Sequence, residues 1–296
     1  MHQILETKLN NFKELFEIDG FFLSPFIFRG QGNSKWDLKT SIERTIENYS
    51  FFDYEKTSGY ETQEKWMIID FKKKYPLYSN KLPDIENNFE WLSIMQHYGA
   101  PTRLLDFSSS IFVALYFATI ESKIESSIWC LNKIQIRDNL HSKFQLDYTP
   151  KVDLKDKIDK VHIDLANQFI ANESWFKTNN KKTLIPLEPN FYTERLSKQQ
   201  GLFLMPSESK TSFTENMLST FNMNELNFYK IDIEDLIKLS IEKSLHHKIN
   251  ILKINIDEDM SYDIVNYLKE MNITAETLFP GIEGLAKSLI QSHIRT

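Results

Sequence analysis

Apolar positions along this chain fall at two spacings, one helical and one strand-like, and their alternation sketches the elements. Leu5, Leu9, Phe12 and Phe16 recur at helical intervals and predict an N-terminal helix over residues 1–20, with Gly20 as its stop. Phe26-Ile27-Phe28 is a β-prone run ending in Arg29-Gly30; Gln31-Gly32-Asn33-Ser34 reads as a turn, and Trp36 as the start of a second short strand. Residues 61–75 and 87–98 carry helical patterns. The second has a clear end, because Gly99 can take the left-handed position after the helix and Pro101 blocks its continuation. Thr102 to Phe107 looks like a buried strand, and Ser108 to Ser110 can cap a following helix whose inner face is Ile111, Ala114, Leu115 and Ala118.

Further strands are predicted at Ile128–Ile136, Thr183–Leu187, Leu202–Met205, Leu226–Ile231 and the isoleucine-rich 249–256 stretch. Helices are predicted at 153–170, on an Ile158, Val161, Leu165 and Phe169 face, and at 261–271. Strands and helices are interspersed without a strict β-α-β rhythm. That favours an α+β fold with a mixed, mainly antiparallel sheet and flanking helices. The expected layout is a single domain over 1–296, with a helical insertion over 40–86.

Charge and cysteine usage narrow the chemistry. Forty-one acidic against 35 basic residues give a net charge of −6, so nothing global draws the chain to nucleic acid. Lys72-Lys73-Lys74 and Lys181-Lys182 are the seeds of any local basic groove, and runs this short are more often solvated faces. Cys130 is the single cysteine, which excludes an intramolecular disulfide and a thiolate-rich metal site. No stretch approaches about 18 apolar residues, and no basic-then-apolar leader opens the chain, so a cytoplasmic protein without membrane partners is expected. His97 and Asp106 lack a third metal ligand at a usual spacing, and His246-His247 reads as a surface pair. A metal is therefore not expected. Gly-x-Ser-x-Gly and glycine-rich phosphate loops are absent.

Two segments concentrate chemistry. Arg29 stands at a strand end before Gly30, where backbone can turn and a ligand approach; its planar fork can grip a phosphate or carboxylate, with the Gln31 amide beside it. A salt bridge from Arg29 to a core carboxylate is the alternative. The second segment is Gln96-His97-Tyr98-Gly99-Ala100-Pro101-Thr102-Arg103-Leu104-Leu105-Asp106. His97 lies in the last helical turn, where the macrodipole favours its protonated form, although a lone histidine there is more often a cap than a catalyst. Arg103 and Asp106 are three apart, so in an extended strand they face opposite sides.

These motifs resemble the FRG domain, named for Phe-Arg-Gly. Phe28-Arg29-Gly30-Gln31, the Gln96–Asp106 core and Ala114-Leu115-Tyr116-Phe117-Ala118 each match. Later pieces do too: Arg195, Gln200-Gly201-Leu202-Phe203, and Leu278-Phe279-Pro280-Gly281-Ile282-Glu283-Gly284-Leu285-Ala286. The likeness spans roughly residues 20–290. The order of pieces also resembles ADP-ribosyltransferases of the Arg–Ser–Glu type, which bind NAD. That resemblance implies Arg29 and Asp106 as catalytic residues and Arg29, Gly30, Ser108 and Gln200 as contacts to NAD; the dense second segment adds His97 and Arg103 as catalytic candidates, and Gln31, beside Arg29, is a further expected contact. The resemblance also implies a bacterial toxin or antiphage effector acting on a macromolecular target. Two departures stand out: Asp106-Phe107-Ser108-Ser109 replaces a Ser-Thr-Ser element, and Gln199-Gln200-Gly201 replaces a glutamate pair. A substitute carboxylate must then come from Asp106, Glu194, Glu276 or Glu283, with Asp106 favoured as part of the densest motif. Without one, the expectation is a non-catalytic ligand-binding or protein-interaction module.

Overall fold

A computed structural model describes residues 3–18, 20–49, 60–146, 155–171, 181–189, 192–242 and 249–293. Its eight strands are β1 (Ile4–Lys8), β2 (Phe26–Gln31), β3 (Leu105–Ser108), β4 (Ser126–Asn132), β5 (Leu184–Leu187), β6 (Gly201–Pro206), β7 (Phe228–Lys230) and β8 (Ile251–Ile256). They form one sheet in the order β5-β6-β3-β2-β4-β8-β1-β7. Pairing is antiparallel from β5 through β8 and parallel where β1 lies between β8 and β7. The fold is α+β with a mixed, mainly antiparallel sheet, as the patterning predicts.

The sheet is buried on both faces, and strand alternation sorts residues between them. Phe26 and Phe28 share a core with Ile128, Cys130, Leu252 and Ile254, while Ile27 packs with Trp129, Leu131, Leu105 and Phe107 on the other side. Burial pushes the Cys130 thiol up, so it behaves as a small hydrophobe. Seven helices frame the cleft and the cores beside it: α1 (Ser41–Tyr49), α2 (Glu61–Lys74), α3 (Asn88–His97), α4 (Ile111–Thr119), α5 (Lys133–Phe144), α6 (Lys155–Ala171) and α7 (Glu194–Lys198). The first two lie within 40–86, the predicted helical insertion.

The chain's start departs from its pattern. Residues 4–8 are a strand and not part of a helix, and short helical turns follow only at Glu14–Glu17 and Gly20–Leu23. A spacing of four is also a multiple of two, so Leu5 and Leu9 fall on one side of a strand as readily as of a helix, and both join the same core. Trp36 starts no strand; it sits in a loop, 58% exposed. Strand β4 ends at Asn132, four residues before the predicted boundary, because the Asn132 side chain accepts from the Ile134 and Gln135 amides and caps α5. Of the predicted 153–170 helix, 153 and 154 lie outside the described residues. Its buried face is His162, Ile163, Leu165, Ala166 and Ile170, with Val161 turned outward. His246-His247 also lies outside the described residues.

Candidate functional site

Gly30 explains how the two motifs meet. It is not a turn: it lies inside β2, paired with Ile128 of β4. A Cβ there would sit 1.9 Å from the Ala114 carbonyl oxygen and 2.6 Å from the Ala118 nitrogen. The close approach that Gly30 permits is therefore that of α4, whose small residues Ala114 and Ala118 lie against the strand, rather than that of a ligand. Ser110 caps α4 through the Val113 amide (3.4 Å), as the sequence predicts. Gly99 ends α3 with φ +87°, also as predicted.

Packing β2 against α4, with β3 alongside and α3 feeding into it, opens a cleft of about 910 Å³. That is the size of small-molecule sites. Arg29, Gly30, Gln31, His97, Asp106 and Ser108 all line it, together with Arg44, Trp36, Phe117, Arg195 and Gln199. Arg103 and Gln200 do not.

Arg29 is half-buried and makes no ion pair among the described residues. One Nη donates to the Asp106 backbone carbonyl (2.7 Å), and its buried Nε has no partner. Burial lowers its pKa; the Asp106 charge opposes this and the Arg44 charge adds to it. The alternative of an arginine salt-bridged to a core carboxylate is thereby excluded for Arg29.

It holds instead for Arg103. That side chain is 2% exposed and engages Glu64, itself fully buried: Nε donates to Oε2 (2.5 Å), a second guanidinium nitrogen reaches the same carboxylate, and the Arg103 amide donates to Oε1 (3.0 Å). The guanidinium also lies 5.3 Å from the centre of the Tyr60 ring. Burial works against its charge, but Glu64 and Tyr60 outweigh burial and hold Arg103 above its ordinary value. As predicted, Arg103 and Asp106 do not meet: one faces the Glu64 core, the other the cleft.

Asp106 is oriented by a relay that the sequence motif contains but does not announce. Thr102 Oγ1 donates to Gln96 Oε1, which leaves the Gln96 amide nitrogen to donate to Asp106 Oδ2 (2.8 Å). Gln96 is thus a site residue that local reading missed, although it opens the motif. His97 projects into the same cleft. Burial and the neighbouring Arg195 charge lower its pKa, partly opposed by Glu283, so it is neutral near pH 7. The predicted stabilisation of its protonated form by the helix dipole is overridden.

The remaining predicted contacts are already engaged within the protein. The Gln31 amide accepts from Trp129 Nε1 (2.8 Å) and donates to the Asp37 carbonyl (3.2 Å). The Ser108 hydroxyl donates to the Gln199 carbonyl (2.7 Å) and accepts from the Ser110 amide (3.0 Å). Gln200 is exposed with φ +46°, and it is Gln199, just before it, that reaches the cleft. Among the proposed substitute carboxylates only Asp106 lines the cleft. Glu194 pairs with Lys198 (3.0 Å), Glu276 is exposed, and Glu283 pairs with Lys287 (2.7 Å) while flanking Arg195 at 3.9 Å.

Members of both short basic runs are engaged within the fold. Lys72 donates to the Ile85 carbonyl and the Asn88 side chain, and Lys182 pairs with Glu215 at 3.6 Å. No group of three or more metal-binding side chains occurs among the described residues, and no described helix is long and apolar enough to cross a membrane. In comparison with known proteins, residues 24–127 fit the family model of the FRG domain. This is narrower than the 20–290 span of the motifs; it includes Arg29, Arg44, His97 and Asp106 and leaves Arg195 and Gln199 outside. No curated protein and no solved structure matches the chain.

Proposed function

We propose that this chain, which carries an FRG domain over residues 24–127, uses its cleft to bind NAD or a related nucleotide and to transfer the glycosyl group from it. The observation that supports this reading is the convergence of Arg29, His97 and Asp106 on one cleft, across nearly 80 residues of sequence. Each has a part suited to the chemistry. Arg29, with no carboxylate partner among the described residues and guanidinium donors to spare, holds the phosphate-bearing portion. Asp106, fixed by Gln96, places a carboxylate beside the ribose, where cleavage of the glycosidic bond develops positive charge. The bonding pair leaves with nicotinamide, an acceptor oxygen supplies the new bond, and neutral His97 takes the acceptor's proton. The macromolecule carrying that oxygen is the effector's target, with water as the default acceptor. Positioning does most of the work, with no covalent intermediate on the protein.

A second reading, a ligand-binding module without turnover, draws on Gln199. That side chain stands near the place of the expected glutamate, carries no charge, and donates its amide to the Leu278 carbonyl (3.2 Å). One experiment separates the two. The full chain is incubated with NAD, nicotinamide release is followed by chromatography, and NAD binding is followed by calorimetry. Release that falls at least about 100-fold in Asp106→Asn supports transfer. Binding without release supports the module. Neither binding nor release would sink both.

A further inference from the structure

Two guanidinium groups face this cleft with no ion-pair partner among the described residues. Arg29 spends one donor on the Asp106 carbonyl, and Arg44, on α1, spends one on the Lys39 carbonyl (2.5 Å). Neither has a carboxylate within 4 Å among the described residues, although Asp37, Glu47, Asp106 and Glu121 also contribute to the lining. Glu47 is turned instead to Lys39, at 2.8 Å, and Glu43 of the same helix accepts from Thr40 and the Phe213 amide, so neither helix carboxylate pairs with Arg44. Burial lowers the Arg29 pKa most, the Asp106 charge opposes it, and the Arg44 charge adds to it. Like charges gathered around one cavity repel, and a dianion whose charges are themselves adjacent relieves this best. A single phosphate needs only one bidentate arginine. Trp36 adds an apolar ring that is 58% exposed in the loop leading to α1 and lines the same cleft.

We propose that the cleft is built for a nucleoside diphosphate group, with Arg29 and Arg44 sharing the two adjacent phosphates and Trp36 stacking on the base. This rests on the nucleotide reading of the cleft and deepens it, by naming the anion and two residues outside the recognised motifs. It stands apart from whether any bond is broken.

The test is calorimetry on the full chain with adenosine, AMP, ADP and inorganic pyrophosphate, in the wild type, Arg44→Gln and Trp36→Ala. Both substitutions are made at side chains outside the core, and thermal melts verify folding. ADP should bind about tenfold or more tighter than AMP, the worth of one further charge-assisted contact. Arg44→Gln should abolish that preference while leaving AMP within about threefold. Trp36→Ala should weaken AMP and ADP alike by roughly tenfold and leave pyrophosphate unchanged. Equal affinity of the wild type for AMP and ADP, equal losses of both in Arg44→Gln, no effect of Trp36→Ala on either nucleotide, or no binding of any of the four at millimolar concentration overturns the proposal. Nicotinamide release is measured on the same samples. A diphosphate preference without release sinks the transfer reading alone, and release without the preference sinks this one alone.

Discussion

Removing Glu64 should be among the most damaging single changes to this fold, and the size of the loss follows from its surroundings. Its carboxylate is fully buried and accepts from the Arg103 amide and from the Arg103 guanidinium, which has 2% of its surface in contact with solvent. Glu64→Ala leaves a buried cation facing Tyr60 with no counter-ion, and a backbone amide without an acceptor. Breaking one side of such a pair costs about 3–5 kcal/mol. For a chain of 296 residues that corresponds to roughly 5–8 °C in melting temperature. The pair itself is a different matter, since desolvation offsets much of its attraction. Replacing both partners, Glu64→Leu with Arg103→Met, should recover all but about 1–2 kcal/mol of the loss. Urea unfolding of the wild type, both single variants and the double variant closes the cycle. If each single variant costs under about 1 kcal/mol, or the double variant loses the sum of the two, Arg103 is not held as described. The same set tests whether Arg103 belongs to the fold rather than the site: nucleotide binding should follow folding and nothing more.

Three further outcomes are expected. Gly30→Ala must push α4 away from β2 by about 1 Å or more, because the new methyl meets backbone and not a flexible side chain; a loss of about 3 kcal/mol is expected, and a change under about 0.5 kcal/mol in urea unfolding would refute the packing argument. His141 and His162 meet through their Nε2 atoms at 2.9 Å, with His162 Nδ1 at 3.1 Å from the Pro186 carbonyl, and burial followed by the His141 charge lowers the His162 pKa to about 4. The unfolded imidazole titrates near 6.5 and binds protons that the folded one refuses, so stability falls as pH drops from about 6.5 towards 4, by roughly 3 kcal/mol from this group. Melts of the wild type and His162→Gln between pH 4 and 7 should therefore differ in slope, and parallel curves would contradict the assignment. Ser108→Ala, which strands the Gln199 carbonyl and the Ser110 amide, should cost about 1–3 kcal/mol in chemical denaturation; a neutral result would mean that solvent replaces both bonds.

Local chemistry was legible in the sequence wherever one element settles the matter. Gly99 ends its helix in the left-handed region because no Cβ opposes it, and Ser110 caps the next because its oxygen meets an amide three residues on. The α+β class and most strand positions follow from the same kind of short-range pattern. The partners of each strand do not. Leu5 and Leu9 fit a helix and a strand equally, and only pairing with β7 and β8, more than 200 residues away, decides between them. The site divides in the same way. The sequence offered Arg29 as able to grip a ligand or a core carboxylate, and Arg103 as a site candidate in the dense second segment. Which does which depends on Glu64 arriving from a distant helix to claim Arg103, while among the described residues no carboxylate pairs with Arg29. Gly30 carries the same lesson: its place in the motif is plain from the sequence, but its reason, a helix backbone pressed against the strand, exists only once Ala114 and Ala118 have been folded onto it. Burial and pairing are properties of three-dimensional neighbourhoods, and those are what set charge, stability and chemistry here.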